Sequence, residues 1–407
     1  MRARWNTFTA APHRVMFFGG VTQALLAMLW WLLDIGARFT ALYPAFAWPV
    51  SPVDAHAFLM MFGIFPFFIF GFLMTVYPRW MSGEEVARKH YLPSFLLLAA
   101  GALLFYVGLL SNIMVLAFAL LLFLAGWAIG LYALLRVYRH AAHPDKRHVR
   151  ITNIVLSLGW LLMVILLAGW LTGHPALVAF AKAGGIWLLL LPVFFAVSHR
   201  MIPFFSSTAL KGYVIVRPDW TLAVFPIFAV LHLVLEIAGL PAWLWLVDLP
   251  MMAIAFYLSY AWRFSSSLNL PLLAMLHVGF LWLGIAMALF TLQSLALALY
   301  GMAVLGKGPL HALVIGFFTS MLLGMATRVT LGHSGRTLVV DRLIWNLFLV
   351  FQLIPLLRIA ADLPGITPAV RGHIYLCAAV LWLTCFAIWY ARFAPVYCRP
   401  RADGKPG

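Results

Sequence analysis

The stretch Val155–Leu171, VLSLGWLLMVILLAGWL, decides the fold class. A barrel strand of about 10 residues would alternate polar and apolar positions, whereas this run is apolar throughout and fits a helix of the roughly 20 residues that cross a bilayer. The chain around it has the same character. Of 407 residues, 65% are hydrophobic and 9% charged, too little polar surface to coat a soluble globule of this size. The expected solvent is therefore the lipid bilayer, and the expected fold is an all-α integral membrane protein, a bundle of about twelve transmembrane helices in a single polytopic domain over 1–407. Spans are expected near 15–35, 55–77, 91–110, 113–138, 151–172, 176–198, 219–238, 241–262, 271–294, 309–330, 343–361 and 371–393. Pro78, Pro175, Pro241, Pro271 and Pro309 mark several junctions, where a helix can begin or must stop.

The basic residues test this count, because cytoplasmic segments collect the excess of Lys and Arg. With the N-terminus inside, only Arg38, Lys307, Arg358 and Arg371 of the 27 Lys and Arg residues fall outside, and Lys182 lies within a span. The rest, from Arg2 to Lys405, fall on the cytoplasmic side, so both termini are expected there. The first apolar stretch, Val15 to about Ile35, follows Arg2, Arg4 and Arg14 and reads as an uncleaved span, being longer than a signal-peptide core. A net charge of +16 would suit nucleic acid only if the basic residues gathered on a soluble domain or tail, and no such segment is present. No extramembrane domain for a soluble protein partner is expected, and no internal repeat stands out. Cys377, Cys385 and Cys398 form no CxxC or CxxCH, which argues against a disulfide framework, a zinc knuckle and covalently attached haem.

Candidate chemistry rests on the depth of the thirteen histidines. His13, His90, His140, His143, His148, His174 and His373 fall in loops or at span ends, where an interfacial imidazole needs no special role. His56, His199, His232, His277, His311 and His333 fall within or at the ends of spans, where ionisable groups are costly and face a bundle interior. His56, His311 and His232 form an expected outer tier. His199, His333 and His277 form an inner tier, with His199 and His333 ending spans six and ten. On a straight helix His311 and His333 would share nearly one face, so one span could serve both tiers. Neutral imidazole is a ligand for haem iron and for copper, and sites in bundles are assembled from facing helices. The other reading is a histidine bonded to a backbone carbonyl between helices.

Ala312, Gly316, Ser320 and Gly324 make a small-residue stripe that admits another helix or a flat cofactor. Arg200, Arg328 and Arg336 flank the inner histidines and can either clamp haem propionates or anchor the helices. Lys182 and Asp248 lie at similar shallow depths from the outer face and are expected to neutralise each other.

Three stretches carry a family likeness. HAFLMMFG (His56–Gly63), followed by GFLMTVYPRW, resembles the HAHEMLFG and GFLLTAVPNW type of sequence found in the NnrS family of membrane proteins. SHRMIPFF (Ser198–Phe205) is similar to its GGRxIPFF, and HALVIGFFTSMLLGMATRVTLGHSGR (His311–Arg336) to its HALTVGA segment and closing TRxxLGHTGR. MLHVGFLWL (Met275–Leu283) is a weaker fourth likeness. Phe58 and Leu59 replace a histidine and a glutamate of the first motif, and His199 replaces a glycine of the second. The resemblance implies that His56, Arg200, His277, His311, Arg328, His333 and Arg336 are functional. It also implies haem and copper, a place in the bacterial inner membrane, and a role in nitric oxide metabolism or protection against nitrosative stress, with nitric oxide or an iron nitrosyl species as ligand. A transporter using the intramembrane histidines, Lys182 and Asp248 is the alternative. A redox enzyme like the heme-copper oxidases is disfavoured, because adjacent paired histidines and a helix with two close histidine ligands are missing.

Overall fold

The computed structural model describes residues 2–40 and 42–404, so Lys405 lies outside the described residues. The described residues are helical, with no strand among them, and twelve helices are long and apolar enough to cross a membrane. They run Pro12–Phe39, Pro52–Met81, Arg88–Leu109, Ile113–His140, Arg147–Thr172, Pro175–Ala209, Asp219–Ile237, Pro241–Ala261, Pro271–Tyr300, Gly308–His333, Arg342–Ala360 and Pro368–Tyr397, here spans one to twelve. This is a multi-pass membrane protein. The start of span one and the end of span twelve lie at one end of the bundle, called here the near end; the other is the far end.

Local chemistry sets the boundaries. Proline occupies the first turn of spans one, two, six, nine, ten and twelve, where its missing N–H has no intrahelical acceptor in any case. Asn112 caps span four by accepting from the N–H groups of Met114 and Val115. Gly173 ends span five at φ +69, a conformation that lets the chain reverse into Pro175. Span six runs eleven residues past its expected end at 198, to Ala209. Pro203 forfeits only one hydrogen bond inside it, so His199 lies within a helix rather than at its end.

The spans follow a three-part plan. Spans one to four, five to eight and nine to twelve form successive groups, joined by contacts of span four with five, eight with nine and twelve with one. Each group sends one span to the centre: two, six and ten. The rings of Phe65, Phe194 and Phe318, one from each central span, meet there with centroids 5.1 to 6.2 Å apart. Each central span also contains a wider π-helical segment, Leu59–Ile64, Gly185–Leu190 and Ala312–Thr319 respectively. His56, Lys182 and His311 each stand eight residues ahead of the last residue of that segment, in one shared register. Span ten is therefore not a uniform α-helix, and the shared face expected for His311 and His333 does not follow, because a π segment carries more residues per turn.

Arg14 closes the ring of groups. It is buried rather than a solvated anchor, and its Nη1 donates to the carbonyls of Tyr397 (3.1 Å) and Arg399 (2.8 Å) at the C-terminal end of span twelve. Gly316 and Gly324, read as possible cofactor neighbours, are spent on packing against span nine. A methyl group at Gly316 would lie 2.6 Å from Trp282 and one at Gly324 2.9 Å from Leu276. The Trp282 indole cannot easily retreat, because its Nε1 donates to Gln352 Oε1 at 2.8 Å. Replacement of Gly316 by Ala is therefore expected to destabilise the bundle by about 1–3 kcal/mol, seen as a lower melting temperature of the detergent-solubilised protein.

Candidate functional site

At the far end, span two and span ten bring His56 and His311 within electrostatic reach of each other and of Arg358 on span eleven. The His56 ring stacks on Trp31 with centroids 4.0 Å apart, and its Nδ1 is buried with no hydrogen-bond partner. His311 donates from Nδ1 to the Lys307 carbonyl at 2.9 Å, which leaves Nε2 as the basic nitrogen. Arg38, whose guanidinium is 5.3 Å from the Trp31 ring centre, pairs with Asp34, and Asp34 also accepts from Trp48 Nε1 at 2.7 Å.

Lys182 and Asp248 do not neutralise each other. Lys182 pairs with Asp54 at 2.5 Å, because the central register places it beside the first turn of span two. Asp248 instead accepts from His232 Nδ1 at 2.6 Å, both groups being shut from solvent. The His232 ring stacks on Trp187 at 3.5 Å, Trp187 Nε1 donates to Glu236 at 3.0 Å, and His232 Nε2 lies 4.0 Å from the same carboxylate. His232 thus belongs to a separate far-end cluster and not to the pair formed by His56 and His311.

The near end holds three arrangements. The His333 ring faces His13 with centroids 4.8 Å apart, and His13 Nδ1 is buried without a partner. His148 Nε2 donates to His199 Nδ1 at 3.0 Å while His199 Nε2 donates to the Pro218 carbonyl at 3.2 Å, so both nitrogens of His199 are engaged. His277 Nε2 meets Ser206 Oγ at 3.0 Å. The loop beside them is tied by Asp145, whose carboxyl is held below the usual carboxylate range by hydrogen bonds from Arg147, a residue that also pairs with Asp219. Arg328 lies over Phe205 at 3.8 Å, Arg200 over Trp80 at 4.7 Å, and Arg336 keeps a buried Nη1 without a partner.

His13 and His148, read from sequence as interfacial, are instead buried and paired with imidazoles. Their place near a span end gave no sign of this; His148 meets His199 in the added turns of span six, and His13 meets His333 at the end of span ten. The one available signal was that each starts a span within a basic segment, which describes an ordinary anchor equally well.

The donor set can be tested against a metal or haem. Among the described residues no three or more His, Cys, Asp or Glu side chains converge on one point, so a copper centre built from three protein ligands is not formed. Imidazoles with unengaged nitrogens stand singly or in twos instead, as axial haem ligation requires. At both ends an unpartnered guanidinium N–H accompanies them, Arg358 at the far end and Arg336 at the near end. The donor chemistry suits a haem better than a copper centre of three protein ligands.

A family model described as NnrS protein matches residues 7–401. The chain belongs to the NnrS family. That makes it a nitric-oxide-related membrane protein. No curated protein matches the chain.

The exchange of partners can be checked by double-mutant cycles on thermal stability. Asp248→Asn with His232→Ala is expected to show a coupling of about 1 kcal/mol or more, and Asp248→Asn with Lys182→Met one below about 0.5 kcal/mol. The reverse order would restore the pairing read from the sequence.

Proposed function

We propose that this NnrS-family chain binds haem in a bacterial inner membrane with its near end in the cytoplasm, and acts in nitric oxide metabolism or in protection against nitrosative stress. The observation that carries the reading is the family match over nearly the whole chain, and the histidines support it, since they leave ring nitrogens free at membrane depth. His56 and His311 are the proposed ligands at the far end and His333, with His13, at the near end. Arg200, Arg328 and Arg336 are proposed to hold carboxylates of the bound group by charge-assisted hydrogen bonds, a role for which the guanidinium fork is suited. His199, His232 and His277 are proposed to act through the groups they already bond, as positioning residues.

A ferrous haem held by one of these imidazoles would supply the affinity for nitric oxide. The protein supplies the surroundings. Trp31 fixes the plane of His56, Lys307 fixes the tautomer of His311, and the apolar interior admits a small uncharged ligand from lipid while keeping out water. Transport of protons or a small solute is the second reading, favoured by one observation: His232, Asp248 and Glu236 form a line of titratable groups from the far-end surface inward.

Purification in detergent separates the two. A Soret band with near-stoichiometric iron is expected, and a colourless, metal-free protein would favour transport. Single replacement of His56, His311 and His333 by Ala is expected to shift or abolish the band in at least one variant; three unchanged spectra would remove these residues as ligands.

A further inference from the structure

Arg358 stands near the far end of span eleven with its guanidinium 3.6 Å above the Tyr375 ring. Its Nη2 lies 3.3 Å from His311 Nε2 and 3.4 Å from His311 Nδ1. Near-equal distances to both ring nitrogens mean that the N–H lies across the imidazole rather than along its lone pair, a poor hydrogen-bond geometry. Its Nη1 is shut from solvent and bonds to nothing.

No carboxylate forms an ion pair with Arg358 among the described residues. Asp362, which acts on it through space, accepts from Tyr375 Oη at 2.7 Å and from the Lys307 N–H at 3.1 Å. The neighbouring carboxylates are also taken, Asp34 by Arg38 and Asp54 by Lys182. A guanidinium offers five N–H donors and stays charged. Half-buried two residues before the end of span eleven, against an aromatic ring and the flat of an imidazole, it feels Asp362 only through space and has no direct counter-charge. His56, within reach of it, has its own buried, unpartnered Nδ1.

We propose that Arg358 binds an anionic oxygen group, a carboxylate or a small oxyanion, beside His56 and His311. The planar fork matches two oxygens at once. Drawn toward such a group, the guanidinium leaves the face of His311 and frees Nε2 as a ligand, so that anion binding and access to the imidazole are linked. The carboxylate can belong to a bound cofactor, in which form the inference rests on the haem reading, or the oxyanion can be free in solution, in which form it does not.

The test uses the full chain in lipid nanodiscs, wild type and Arg358→Met, with two arms. In the first, iron protoporphyrin and its dimethyl ester are titrated. Wild type is expected to hold the free acid about tenfold more tightly than the ester, and Arg358→Met to lose that preference, which assigns the carboxylate to a cofactor. In the second, the haem-free protein is melted in sodium nitrite or sodium formate at constant ionic strength. A saturable rise in melting temperature in wild type that Arg358→Met lacks assigns the site to a free anion. If Arg358→Met is not monodisperse, Arg358→Lys is read in its place, with a partial loss expected. A variant that matches wild type in both arms overturns the proposal. Failure of wild type to bind either porphyrin counts against the haem reading alone, since the anion arm still reports on Arg358.

Discussion

An ionised group at membrane depth is tolerated only if another group meets it, because lipid offers neither water nor counter-ions. The chain has 27 basic and 11 acidic residues, so carboxylates run out before cations do. Where a carboxylate is available the pairing is direct, as in Lys182 with Asp54 and Arg38 with Asp34. Elsewhere cations lean on π faces, Arg328 on Phe205 and Arg200 on Trp80, or on the free carbonyls of a helix end, as Arg14 does. Those contacts also hold the groups of spans together, so the wiring of charge and the packing of helices are one problem with one solution.

The three central spans show how a fold can place bases without a sequence repeat to announce them. A π segment widens each helix just inward of its far-end base, and such segments recur at functional sites because they re-aim side chains that an α-helix would line up. Two of the three shared-register positions hold histidine, and the third holds a lysine already neutralised by Asp54. The likeness between His56 and His311 is thus one of position as well as of residue type.

The twelve crossings were legible because apolar length and the distribution of Lys and Arg are local properties of a chain. The family likeness was legible too, in the run from His311 to Arg336. What the sequence left open was which polar groups meet. Lys182 and Asp248 sit at similar depths, yet depth says nothing about azimuth, and each turned to a different neighbour. His13 and His148 lie close to span ends, and their burial follows from the distant partners His333 and His199, which spacing along the chain does not reveal. The glycines of span ten read equally well as a cofactor bed or as a packing groove until the Trp282 indole was seen to fill the space.

The meeting of Phe65, Phe194 and Phe318 on the axis has a bearing on what can move through the molecule. Nearer the near end the same three spans, with Phe17 of span one, line a cleft with Phe68, Phe72, Val193, Val197, Met321 and Met325, apolar but for Ser198. A hydrated ion passing that way would have to shed its shell against a stack of hydrocarbon, and such constrictions stay dry. Along its axis the bundle therefore presents a closed stack of rings, with no polar wall to replace the water such an ion would lose.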